Sequence, residues 1–215
     1  MIKNIFFDFD GVIAESVNVK TEAFRELYIN YGSEIANKVV DHHRANGGMS
    51  RFEKFRIYHN DYLNISLDNA RVEGLSVKFS SIVLNGVIDS PEVKGSHEFL
   101  HEFKNFYNMF IITGTPTEES KEICKARGIY DCFKGIYGSP QKKGYWSNHI
   151  LSTFNLLPEE TIFIGDATAD YNAAIETNIQ FYLREYDENL ELFSKVKDIQ
   201  RFSDFNDFRK LINNK

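Results

Sequence analysis

Residues 2–9 read as a β-strand with nearly continuous apolar side chains, and the run ends in Phe6-Phe7-Asp8-Phe9-Asp10-Gly11-Val12. A strand without face alternation is covered on both sides. That is the setting of a parallel sheet between helical layers. Asp8 and Asp10 are two residues apart, so on a strand they project to the same side. Two like charges at the end of a buried strand are costly without a cation or a shared proton. The pair therefore points to chemistry: one carboxylate free to attack, one tuned to carry a proton, and a metal nearby. Two solvated carboxylates at an ordinary strand end are the bland alternative.

The rest of the chain divides in two. Residues 15–85 show apolar side chains at helical spacing, such as Ala23, Leu27 and Tyr31, then Phe52, Phe55 and Tyr58, and no convincing core strand. Ser50 and Glu53 form a capping-box pattern just after Gly47-Gly48, a hinge candidate. From about residue 86 helices and strands alternate: helix 95–106, strand 108–113, a helix opened by Thr115-Pro116-Thr117-Glu118 and stopped near Gly128, strand 134–138, helix 143–154, strand 161–165, helix 168–177 and a last core strand at 179–183. The charged stretch 184–200 reads as a solvated face and 204–213 as a closing helix. Such alternation predicts a Rossmann-like α/β core with a parallel sheet between helical layers, carrying an inserted all-α segment. The expected division is 1–14 and 86–215 for the core and 15–85 for the insert.

Length and composition narrow the function classes. At 215 residues the chain can bury a sizeable core. A net charge of −6, with no basic stripe, argues against nucleic acid as a partner. Cys124 and Cys132 form no CxxC motif and read as reduced thiols. No apolar run approaches a membrane span or a secretory signal, so the expected location is the cytoplasm, as a monomer or homodimer.

In open parallel sheets ligands bind beyond the carboxyl ends of the strands. Those ends carry Asp8 and Asp10, then Thr113-Gly114-Thr115, then Gly138-Ser139-Pro140-Gln141-Lys142-Lys143, then Gly165-Asp166-Ala167-Thr168-Ala169-Asp170. Phosphoryl transfer needs such a set: a hard cation, an ammonium group and donors for the phosphate oxygens. Asp8 and Asp166 can supply carboxylates to Mg²⁺. Thr113 and the following helix start supply hydroxyl and amide donors. A lysine of the 142–143 pair supplies a point charge.

In order and interval, these four segments resemble the four motifs of the haloacid dehalogenase superfamily. The helical insert resembles the small cap of the subgroup with phosphoglycolate phosphatases and beta-phosphoglucomutase. The resemblance implies that Asp8 is the nucleophile, forming an aspartyl-phosphate, and Asp10 the general acid and base. It implies Mg²⁺ held by Asp8, the Asp10 main-chain carbonyl and Asp166, with Asp170 supporting the metal or the lysine. It places the phosphoryl group on Thr113 and Gly114. It favours Lys143 over Lys142, because related phosphatases read Gly-Ser-Pro-x-x-Lys. Asp10 itself favours phosphatase or phosphomutase over dehalogenase, phosphonatase or ATPase chemistry.

The expected activity is Mg²⁺-dependent hydrolysis of a small soluble phosphate monoester. A phosphomutase and a non-catalytic phosphate sensor are the alternatives. Within the insert, Arg51 and Lys54 share a helix face and are candidates to bind the non-phosphate part of the substrate. His42, His43 and Arg44 lie just before them. Each also reads plainly as a solvated or packing residue.

Overall fold

The computed structural model describes residues 1–213. Six strands form one parallel sheet: β1 (Asn4–Phe7), β2 (Asn108–Pro116), β3 (Gly135–Ser139), β4 (Thr161–Gly165), β5 (Gln180–Arg184) and β6 (Gln200–Phe202), in the order β3-β2-β1-β4-β5-β6. The apolar β1 is central, as its composition requires. Phe6 packs edge-on against Phe110 and Phe163 on one face of the sheet. Ile5 and Phe7 enter the opposite layer, where Phe7 meets Phe99 and Phe205. Helices α5 (Ser96–Phe103), α6 (Thr117–Ala126), α7 (Lys143–Thr153), α8 (Thr168–Glu176) and α9 (Phe205–Asn213) accompany the sheet. Positions 214–215 of the expected core segment lie outside the described residues.

The all-α insert, or cap, contains α1 (Val17–Tyr28), α2 (Ser33–Ala45), α3 (Arg51–Ile57) and α4 (Asn69–Asp89). Phe24, Tyr28, Phe55, Tyr58 and Phe79 form its buried aromatic centre. The two chain crossings between cap and core are tied to each other. Glu15 N–H donates to Pro91 O and Val93 N–H to Ile13 O, both at 2.9 Å, around an antiparallel bridge between Ala14 and Glu92.

Several expectations are corrected. Helix α4 continues to Asp89, past the 85/86 boundary and through Asn85-Gly86, with Val83 and Val87 buried on either side of that pair. Strand β2 runs through Pro116 and α6 begins at Thr117, so Thr115 caps nothing and its hydroxyl is bonded within the site instead. Ser50 caps α3 through the Phe52 N–H, without the reciprocal Glu53 bond. The sheet does not end at 183: β6 adds a strand at its edge. The 184–200 stretch is not simply a solvated face, since Arg184, Asn189 and Phe193 are buried.

Candidate active site

Strand geometry gathers the polar ends. Asp8 N–H donates to Ile164 O at 2.9 Å, extending the β1–β4 ladder by one residue and fixing the aspartate beside the end of β4. Lys143 is the first residue of α7. Its Nζ lies 2.5 Å from Asp170 Oδ1 and 2.9 Å from Asp8 Oδ1. The second contact is a buried ion pair. Lys142 is exposed. Asp170 Oδ2 accepts the Ala167 N–H, which ties the start of α8 to the same cluster. Gly11, at φ +75°, turns the chain after the pair, and a Cβ there would collide with the Asp166 carboxylate.

Charge at this point is unbalanced. One oxygen each of Asp8, Asp166 and Asp170 lie within 4.8 Å of one another, all three residues are buried, and Lys143 is the ammonium among them. Burial, with the charges of Asp8 and Asp170, raises the Asp166 carboxyl well above the usual carboxylate range. Burial pulls the Lys143 ammonium down, but Asp170 and Asp8 outweigh it and hold it charged. Oxygen-only donors and surplus negative charge fit a hard divalent cation.

Asp10 is governed by the cap. Ser16 Oγ donates to its Oδ1 at 2.6 Å, and Lys20 of α1 pairs with its Oδ2. Lys20 also donates to Thr115 Oγ1 at 2.5 Å. Burial pushes the Asp10 carboxyl up, but Lys20 and Ser16 prevail and hold it below the usual value. Thr113 is buried within β2, three residues before its end, and its hydroxyl accepts the Thr115 N–H at 3.2 Å.

The haloacid dehalogenase-like hydrolase family model matches residues 5–183. The chain belongs to that family. Solved structures of similar fold cover nearly its full length. They include a predicted phosphoglycolate phosphatase from Haemophilus somnus (20% identity, 98% of each chain, TM-score 0.75). A beta-phosphoglucomutase from Clostridium difficile is similar too (21%, 99% of this chain and 96% of that one, TM-score 0.77). So is a hydrolase, haloacid dehalogenase-like family protein, from Streptococcus pneumoniae (22%, 100% and 99%, TM-score 0.70). None of the curated proteins matches the sequence.

In this haloacid dehalogenase-like hydrolase the cap closes over the strand ends around a cavity of about 120 Å³. Gly47 and Gly48 lie on the core as a strap. A Cβ at Gly48 would come within 3.2 Å of Lys143 Nζ, and one at Gly114 within 2.8 Å of the Gly48 carbonyl oxygen. Lys54 and Arg51 both border the cavity. Arg51 is engaged: its guanidinium forms a bidentate pair with Glu119 of α6, at 2.7 and 2.8 Å, with Ser80 as a third partner. Lys54 Nζ meets His43 Nδ1 at 2.8 Å.

The geometry thus gathers Asp8, Lys143, Asp166 and Asp170, sets Asp10, Thr113 and Gly114 nearby, and brings Arg51 and Lys54 to the rim. Sequence reasoning missed Lys20, Ser16, Glu119, Tyr186 and Asn189. Tyr186 O–H donates to Asp166 Oδ2 at 2.7 Å, and Asn189 Nδ2 donates to Asp166 O at 2.9 Å. No local pattern marks them; only the position of Lys20, three helical positions after Val17, places it on the cap face over Asp10.

Proposed function

We propose that the protein is a Mg²⁺-dependent phosphatase that hydrolyses a small, soluble phosphate monoester through an aspartyl-phosphate. The observation that carries this reading is the Lys143 ammonium between Asp8 and Asp170, with Asp166 within the same carboxylate cluster and Asp10 lining the same cavity as Asp8. Asp8, Asp166 and the Asp10 main-chain carbonyl would hold Mg²⁺, which when bound supplies positive charge to the phosphoryl oxygens. A similar fold from Bacillus subtilis, YfnB (16% identity, TM-score 0.68), was solved bound to magnesium.

Each half-reaction uses this chain's own groups. An Asp8 oxygen attacks phosphorus as the ester P–O bond breaks, and Asp10 delivers its proton to the departing oxygen. Water then attacks the aspartyl-phosphate; Asp10 takes its proton, and Asp8 is released with inorganic phosphate. Lys143 offsets charge on the transferring group throughout. The Lys20–Asp10 pair stabilises the ionised form needed by the second half, so the first half requires Lys20 to release Asp10 as the leaving oxygen arrives. The closed cap keeps bulk water from the intermediate.

A phosphomutase would use the same groups, and the fold similarity to a beta-phosphoglucomutase favours it as second reading. Phosphate release from a panel of metabolite esters, with Mg²⁺ and with EDTA, decides between them. A phosphatase releases phosphate from several esters only with Mg²⁺; a mutase moves it to a sugar hydroxyl instead. A sensor does neither.

A further inference from the structure

Each carboxylate of the acid cluster has oxygen committed to a donor of the chain. Lys143 Nζ pairs with Asp8 Oδ1, and Asp170 gives Oδ1 to Lys143 and Oδ2 to the Ala167 N–H. On Asp166 the donor is the Tyr186 hydroxyl, 2.7 Å from Oδ2. Gly11 packs against that same oxygen, since a Cβ at Gly11 would collide with it. Oδ2 is thus enclosed from two sides. Tyr186 is itself firmly placed. Its N–H donates to Asn189 Oδ1, and Asn189 Nδ2 donates to both Asp166 O and Arg184 O, each bond at 2.9 Å. The Arg184 guanidinium lies over the Tyr186 ring, 4.5 Å from its centroid, and is held in turn by Glu15 and by the Ser203 carbonyl. One short segment after β5 therefore fixes Asp166 by its main chain and its side chain together.

We propose that Tyr186 is a positioning residue that restricts Asp166 to coordination through a single oxygen, and so sets the preference of the site for Mg²⁺ over Ca²⁺. The inference rests on the reading of Asp166 as a ligand of a divalent cation. Mg²⁺ is small, demands octahedral geometry and keeps several waters, so single oxygens from few carboxylates complete it. Ca²⁺ gathers about six to eight oxygens and readily takes both oxygens of one carboxylate. With Oδ2 occupied by the phenol and covered by Gly11, Asp166 offers the geometry that suits the smaller ion. Loss of the hydroxyl frees Oδ2 and lets the carboxylate turn, which weakens the hold on Mg²⁺ and opens a second oxygen to Ca²⁺.

The test measures Kd for Mg²⁺ and for Ca²⁺ from the rise of melting temperature with cation concentration, without substrate, in the wild-type chain and in Tyr186→Phe. Phenylalanine keeps the ring beneath Arg184 and deletes only the hydroxyl. The Mg²⁺ Kd is expected to rise about tenfold or more, as loss of a partner behind a metal ligand costs. The Ca²⁺ Kd is expected to hold or fall, so the preference for Mg²⁺ shrinks by at least the same factor. A merely structural role would loosen the site for both cations alike. Equal changes in the two constants, or no change in either, therefore overturns the proposal. Should Tyr186→Phe fail to fold, the wild-type chain decides: tighter binding of Mg²⁺ than of Ca²⁺ supports the proposal, and equal or tighter binding of Ca²⁺ overturns it. If neither cation shifts the melting of the wild-type chain, the Mg²⁺ reading and this inference fall together. If Mg²⁺ protects the wild-type chain and Tyr186→Phe with the same Kd, this inference alone falls.

Discussion

Asp8 and Asp10 sit two residues apart and meet opposite electrostatic fates. Asp8 faces Lys143 and the other buried acids, while Asp10 faces Ser16 and Lys20. Asp8→Asn removes the attacking oxygen but little volume, and turnover is expected to fall by about 10³-fold or more in a steady-state phosphate-release assay. Near-normal turnover would remove Asp8 from the nucleophile role. Lys20→Met acts through Asp10. Lys20 holds that carboxyl low, so its loss lets burial raise the pKa. Phosphorylation needs protonated Asp10, and kcat/KM reports that half, so the basic limb of its pH profile should move to higher pH. An unmoved limb would mean that Lys20 does not govern Asp10. The aspartates were legible from their spacing at the strand ends, and Lys143 over Lys142 only from the resemblance of Gly138–Lys143 to related phosphatases. Lys20 and Tyr186 were not, because their roles depend on where remote elements dock.

At the scale of elements, α3 of the cap grips α6 of the core. Arg51 and Glu119 are both nearly buried, so removing one charge strands the other at a cost of about 3–5 kcal/mol if the cap stays shut. Opening the cap hydrates the stranded group at lower cost. Glu119→Ala is therefore expected to favour the open form and raise KM several-fold with a smaller change in melting temperature. A double-mutant cycle with Arg51→Ala should show coupling between the two sites in KM. Additive effects would reduce the pair to a surface-like contact. Sequence reading placed both helices, but gave no reason to join 51 to 119. It also missed β6, whose three residues Gln200–Phe202 offer no apolar run, and which is a strand only because β5 leaves an edge to pair. The late start of α6 has a similar cause: pairing with β3 carries β2 through Pro116, overriding a strong local helix signal.

Across the whole molecule, the acid cluster links stability to proton binding, and in the proposed site to metal binding as well. Asp166 binds its proton more tightly in the folded chain than unfolded, so without metal it adds stability below the unfolded value that is lost as pH rises through the folded one. In EDTA, Asp166→Asn should therefore melt increasingly above wild type as pH rises from about 4 toward neutrality. Mg²⁺ should raise the wild-type melting temperature at pH 7 and do so much less in Asp166→Asn. Equal Mg²⁺ effects in the two proteins would remove Asp166 from the metal site. None of the described helices is long and apolar enough to cross a membrane. The α/β order, the inserted helices and the convergence of four strand ends were all readable from periodicity, because hydrophobic pattern and crossover handedness leave few ways to fold such a chain.

The double crossing at residues 13–15 and 91–93 is tied onward to the acid cluster. Glu15 there is clasped by Arg184, at 2.5 and 3.2 Å, and two residues later Tyr186 touches Asp166. A swing of the cap would thus pull on the same short tether that holds the Asp166 carboxylate.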